Sequence, residues 1–276
     1  MLLTPNMGDV KVITNSGLVG TATPGTAVPD NATINLYGAV TELISAANNV
    51  RDSWAIAIDV IAGLSPSAII TDMSLDILIG GATDDTLISS LLVGGSFFGN
   101  SRSFWFPIHI PGGVRIAARL SAGALQSPEP QVIVNLYGGT TPPFQIGRKV
   151  TTYGTKASNS RGLAVTPAAS GGAATVTEMT ASSTEDHFYF LPGFQVSTDS
   201  SIVGATAANI GIGIGAATEE RIGTWWFTKN ASEMQSGPHP NWGVYRDVPS
   251  GTRLTMLASQ GSALDLAHDG HIYAVS

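Results

Sequence analysis

Two stretches of this chain repeat one another at a spacing of 135–138 residues, and this repeat constrains the fold more than any other feature. Ile77 and Ile79 meet Ile212 and Ile214, Gly80, Ala82 and Thr83 meet Gly215, Ala217 and Thr218, and Asp84-Asp85 meets Glu219-Glu220. Farther along, Pro111, Gly113, Arg115, Ser121 and Gly123 meet Pro249, Gly251, Arg253, Ser259 and Gly261. Thr41-Glu42 matches Thr177-Glu178, and Leu136-Tyr137 matches Ile272-Tyr273. Anchors in one order at nearly one spacing imply two tandem copies of a single structural unit. Asn35-Leu36-Tyr37-Gly38 also matches Asn135-Leu136-Tyr137-Gly138, at a spacing of 100 that stands outside the period.

The unit reads as β. Leu75, Ile77 and Ile79, and then Ile210, Ile212 and Ile214, alternate in the period of two of a strand with one buried face. Gly211 and Gly213, on the other face, point to close approach by another backbone. Phe104-Trp105-Phe106 and Trp225-Trp226-Phe227 are aromatic strand segments, and Val132–Val134 and Ile272–Val275 read as the last strand of each unit. Pro111-Gly112-Gly113 and Pro249-Ser250-Gly251 are turns, because Pro presets φ and Gly supplies a positive φ. Helix signals are confined to 41–49 and 232–235. The expected fold is all-β: two tandem β-sandwich, jelly-roll-like units at 31–147 and 173–276, an extended N-terminal arm at 1–30 and a linker at 148–172.

Composition narrows the function. Charged residues are only 12%, about half the usual ~25%, so Ser, Thr, Asn, Gly and backbone must cover much of the surface. Such a surface suits burial against other subunits, since interface cores are depleted in charge. The net charge of −7 and the lack of any Lys/Arg run argue against nucleic acid and against anionic membranes. The absence of cysteine rules out disulfides and thiolate chemistry. The first residues lack the basic and apolar regions of a signal peptide, and the most apolar window, 54–70, is broken by Asp59, Gly63 and Pro66.

Residues that carry chemistry are sparse. His268-Asp269-Gly270-His271, with Asp265 upstream, is the one local set of metal-ligand types; it reads as a polar turn before the last strand, and no metal is expected there. Asp84-Asp85 and Glu219-Glu220 are adjacent acids at turn tips and cannot by themselves place two carboxylates across a substrate. No nucleophile elbow or Walker loop is present, and no cofactor is expected. Arg115 and Arg253, matched after their turns, read as structural cations that hold turn carbonyls or a carboxylate within each unit. Trp225 and Trp242, with Trp226 and Tyr245, form a candidate binding surface for a sugar or another subunit.

The Ile/Gly strand ending in Gly-Ala-Thr and acids (Ile77–Asp85, Ile212–Glu220), followed by Pro111 to Arg119 and by Asn135 to Gly138, resembles the β-sandwich virion proteins of tailed bacteriophages. The resemblance covers most of the first unit and, more loosely, the second, which carries Thr255-Met256-Leu257 where Ala117-Ala118-Arg119 stands in the first. It implies a non-enzymatic structural protein of the tail, neck or capsid surface, located in the virion. Such a protein acts as a homo-oligomer (a trimer or hexamer) with other virion proteins, and its N-terminal arm docks on neighbours. The alternative reading is a receptor- or glycan-binding fibre module.

Overall fold

The alternating apolar segments become strands in the computed structural model, which describes residues 10–15, 24–61, 72–80, 84–94, 101–123, 129–139, 142, 144–156, 161–168, 172–196, 206–216, 218–229, 242–261 and 268–276. Those residues form strands and no helix. The first half carries β1 (Lys11–Thr14), β2 (Thr26–Ala27), β3 (Thr41–Ile44), β4 (Ala55–Ile61), β5 (Met73–Gly80), β6 (Asp84–Leu92), β7 (Ser101–Phe106), β8 (Arg115–Ala122) and β9 (Gln131–Gly138). The second half carries β10 (Val150–Tyr153), β11 (Leu163–Val165), β12 (Thr175–Thr180), β13 (His187–Val196), β14 (Thr206–Ile214), β15 (Glu220–Lys229), β16 (Val244–Val248), β17 (Leu254–Gln260) and β18 (His268–Val275).

The repeat in sequence is a repeat in topology. One antiparallel sheet of the first half runs β1-β9-β4-β7, with β2 also on β9, and the other runs β3-β8-β5-β6. The second half has β10-β18-β13-β16, with β11 on β18, and β12-β17-β14-β15. Each strand of the first half therefore has its counterpart nine strands later. Apart from β1–β2, β10–β11 and the hairpins β5–β6 and β14–β15, which stay in one sheet, successive strands within each half cross from one layer to the other, which is the winding of a jelly roll.

Register shows where each core sits. On β9, Val132, Val134 and Leu136 point into the first sandwich, while Ile133, Asn135 and Tyr137 on the opposite face are half-buried. Its counterpart β18 is buried along its whole length. Ile272 and Ala274 join the core of the second half, while Tyr273 and Val275 join that of the first. Two strands in the same topological place thus differ in whether the outer face is covered.

The matched turns are built alike. Gly113 and Gly251 adopt φ of +76° and +81° with open space where a Cβ would stand, so backbone conformation is what demands glycine there. Buried Asn49 donates through Nδ2 to the carbonyls of Pro111 and Val114, both at 3.0 Å. In the second half, buried Ser183 donates to the Pro249 carbonyl (3.1 Å) and accepts from the Thr252 amide (3.2 Å). Asp52 accepts from the Gly112 amide and Asp186 from the Ser250 amide, each at 2.8 Å. Asn49→Ala is expected to cost about 2 kcal/mol, because a buried side-chain amide gives up two hydrogen bonds to turn carbonyls, and Ser183→Ala about 1 kcal/mol. Urea midpoints of the two variants check this; equal, negligible shifts would show that the turns hold without these side chains.

Several expectations change. Residues 11–14 and 26–27, assigned above to an extended N-terminal arm, pair with β9 at Thr14–Asn135 and Thr26–Val132. Deleting residues 1–30 therefore strips two edge strands and buried Val28, and is expected to lower the thermal midpoint rather than leave the sandwich intact. Residues 150–153 and 163–165, assigned to a linker, pair with β18. The helix expected over 41–49 is β3 followed by a turn, since Glu42 and Ile44 are claimed by β8; residues 232–235 lie outside the described residues. The space above Gly211 and Gly213 is taken mainly by the side chains of Arg221, Thr255 and Glu219, rather than by a neighbouring sheet. The two Asn-Leu-Tyr-Gly segments are unrelated in structure: Tyr137 lies on β9, whereas Tyr37 lies in a loop and donates to Asp76 at 2.9 Å.

Candidate functional site

The sandwich of the first half opens between its edge strands β6 and β7, and the outer face of β10-β18-β13 closes that opening. Tyr273 fills it. Its ring stands edge-on to Phe104 and Phe106, at 6.2 and 6.0 Å between centroids. Its hydroxyl donates to the Ser90 carbonyl (3.0 Å) and accepts from the Leu92 amide (2.8 Å). Burial raises the phenol above its ordinary pKa. Gln195 Oε1 accepts from the Gly94 amide at 2.9 Å, and Tyr189 donates to the Trp105 carbonyl at 2.9 Å. Buried Arg102 donates to the carbonyl of Leu92 (3.2 Å) in the first half and of Phe194 (2.8 Å) in the second. Loss of water brings its pKa down to about 9, so it stays protonated at neutral pH.

Beside this seam lie two carboxylates from opposite halves, Asp72 and Asp269, both buried. Asp72 is ion-paired with Arg161. Asp269 receives a long contact from Gln195 Nε2 (3.5 Å). Its carboxyl is raised to about 6, first by burial and then by the charge of Asp72. His271, next along the outer face of β18, places Nδ1 2.8 Å from the Ser90 carbonyl, and burial lowers its pKa to about 4. Motif reading missed this cluster, because Asp72 and Asp269 are brought together only by the packing of one half on the other. Both carboxylates are sealed from solvent, so they form no open site.

The same edge of the second half carries exposed aromatics. Ser74 faces Leu92 across β5–β6, and Asn209 faces Trp226 across β14–β15, while Ser74 and Asn209 face Ser121 and Ser259 on the other side. Trp226 thus stands in the place of Leu92, the residue held by Tyr273 and Arg102. Leu92 is buried, whereas Trp226 is 63% exposed. Trp242 and Tyr245 nearby are 73% and 46% exposed. Trp225 packs partly on the second core and donates Nε1 to the Trp242 carbonyl at 3.0 Å, so the structure brings the two candidate residues together. The Trp225–Phe227 segment lies on β15 and Phe104–Phe106 on β7, so these aromatic segments are not counterparts.

The other candidate residues lie in the frame of each half. Arg115 Nη2 is 2.6 Å from Asp84, which raises the guanidinium pKa. Arg253 meets Glu178 through Nε (2.6 Å) and Glu219 through Nη1 (2.7 Å), and it holds Glu219 below the usual carboxylate range. Pro111, Gly113, Pro249 and Gly251 make the turns described above. His268, Asp269 and His271 lie within β18, not in a turn before it; His268 stacks on Phe194 at 4.6 Å. Asp265 lies outside the described residues. A cleft of about 470 Å³ lined by Asp186, His187, Asp247 and Ser276 opens beside the segment that joins the halves.

Together these features define, among the described residues, a protein of two fused jelly rolls, one with its edge sealed by the other half and one with exposed aromatics at its edge. No protein-family model matches the chain, and no curated protein matches it in sequence. Among solved structures it is similar to PNGF-II, at 8% identity and a TM-score of 0.40, over 96% of this chain and 66% of the other. The chain therefore spans just under two thirds of that protein's length. PNGase F, a glycosylasparaginase from Flavobacterium meningosepticum, is similar at 8% identity and a TM-score of 0.38, over 97% of this chain and 96% of the other. A chain of Broad bean stain virus is similar at 9% identity and a TM-score of 0.32, over 90% and 86%. The likeness is one of fold alone. It nevertheless corrects the expectation of a chain without enzymatic activity, because an enzyme and a virus component stand side by side among its neighbours. A motif search sees catalytic groups only when they are close in sequence, and a fold hosts unrelated functions.

Proposed function

We propose that this chain is a virion structural protein of a tailed bacteriophage, a component of the tail, neck or capsid surface that works by assembling with copies of itself and with other virion proteins. The observation that carries this reading is the open edge of the second half, where exposed Trp226, Trp242 and Tyr245 occupy a position that the first half seals with a whole sheet. Exposed aromatics in a charge-poor surface are the composition of an interface core. A trimer or hexamer is the expected state. Light scattering on a sizing column tests it, together with mass spectrometry of purified particles. A mass that is a multiple of 28.5 kDa and the chain's presence in particles support the reading. A 28.5 kDa monomer that is also missing from particles overturns it. The same exposed tryptophans favour a second reading, a glycan-binding fibre module. Saturable binding of an oligosaccharide that Trp242→Ala abolishes would establish that reading instead.

A further inference from the structure

The internal repeat says what the open edge would hold. In the first half, the edge formed by β6 and β7 is sealed by the outer face of β10-β18-β13. The row of residues at the centre of that face is Thr152–Tyr273–Leu191, set by the registers of β10 and β13 on β18. The counterpart face in the first half is β1-β9-β4, and its counterpart row is Val12–Tyr137–Ala55. Tyr137 therefore stands where Tyr273 stands, on a strand of the same register. Unlike β18, β9 has no sandwich of described residues packed on its outer face: Tyr137 is half-buried and Val12 is 48% exposed. Phe144 stands edge-on to Trp54 and Trp105, at 5.0 and 4.9 Å between rings, and Tyr137 tilts against Trp54 at 6.3 Å, while Val12 on the β1 side is exposed.

Each half thus has one edge and one face, and only one edge–face pair is used within the chain. The edge of the first half meets the face of the second. The edge of the second half, around Trp226, and the face of the first half, around Tyr137, are left over, and they belong to the same two classes of surface. We infer that the Trp226 edge of one chain docks on the Val12–Tyr137 face of a second copy, repeating between chains the contact that already joins the halves. Within one chain β6 of the first edge already meets β10, β13 and β18 of the second face, so the remaining edge and face meet between copies. The contact is heterologous, so it builds a closed ring or an open filament rather than a two-fold dimer. It rests on the reading of the chain as an assembly subunit and names that subunit's partner.

The chain has no cysteine, so any disulfide placed in it reports a contact cleanly. Full-length chains carrying Trp226→Cys are mixed with full-length chains carrying Tyr137→Cys, or with the more exposed Val12→Cys, and exposed to a mild thiol oxidant. The expected result is a cross-linked species of two chains in either mixture and none from any singly substituted chain by itself. Trp226→Glu, in a chain otherwise unchanged, is expected to weaken self-association roughly 30-fold or more, as loss of a buried tryptophan anchor does. Cross-linking of Trp226→Cys chains with one another would show edge-to-edge pairing and overturn the inference. So would no cross-link in either mixture from chains that retain the thermal midpoint of the parent. If the parent chain is nonetheless found in particles, only the contact has failed; if it is missing from particles and monomeric, the assembly reading has failed with it.

Discussion

At pH 7 the Asp269→Asn variant is expected to be more stable than the parent chain, by about 2–3 kcal/mol. The carboxyl is buried, and its pKa rises from 3.8 to about 6, so its ionised form at neutral pH carries a penalty of about 3 kcal/mol. Asparagine keeps the shape and an oxygen for Gln195 without the charge. The pH dependence distinguishes this cause from any general packing gain. Between roughly pH 4 and 6 the folded chain holds a proton on Asp269 that the unfolded chain has released, so this residue makes stability fall as pH rises. His271 does the reverse. Its pKa drops from 6.5 to about 4 on folding, so over nearly the same range the unfolded chain holds the extra proton and stability rises with pH. The two slopes nearly cancel in the parent. Asp269→Asn uncovers the histidine, and its stability should climb by about 3 kcal/mol from pH 4 to 6.5. His271→Gln uncovers the aspartate, and its stability should fall over pH 4 to 6. Urea unfolding at pH 4.5, 5.5 and 7 measures both; the same slope in the two variants would refute the assignment.

Arg102→Met is expected to lower stability by about 3 kcal/mol or more. The side chain is buried at the seam and its Nη1 serves one carbonyl from each half, Leu92 and Phe194. Methionine fills much of the volume but leaves those carbonyls without that donor, at about 1–3 kcal/mol each when desolvated. For a chain of this length such a loss moves the thermal midpoint by roughly 6–12 °C. Because both carbonyls lie where the halves meet, the variant should also lose cooperativity, with the two sandwiches melting in separate steps. A shift below about 1 kcal/mol with a single transition would mean that apolar burial around Tyr273 holds the halves together and Arg102 is incidental.

Much of the fold was readable before any coordinates. Ile77 and Ile79 against Ile212 and Ile214 mark β5 and β14, and Leu136-Tyr137 against Ile272-Tyr273 marks β9 and β18. The Pro-x-Gly turns and the arginines after them fall at the start of β8 and β17, where Arg115 and Arg253 meet carboxylates of their own half. These features are local or follow a period of two, so sequence pattern carries them. The misread segments share one physical cause. Lys11–Thr14, Val150–Tyr153 and Thr41–Ile44 are short, and each becomes a strand only because β9, β18 or β8 offers it a partner more than 70 residues away. Residues 268–271 read as a polar turn, yet they are strand, because Ser90 and the second core bury His271 and His268 from opposite faces of β18.

The candidate surfaces divide along the same line. Pattern in the sequence determined that there are two units, that each is a β-sandwich, and that tryptophans gather in the second. It could not say which edge is sealed. Leu92 and Trp226 hold the same position in the repeat, and one is buried and the other exposed only because the second half packs on the first. The meeting of Asp72 with Asp269, across 197 residues of sequence, is likewise a product of that packing. Burial against a distant partner is a property of the assembled chain, and no local period records it.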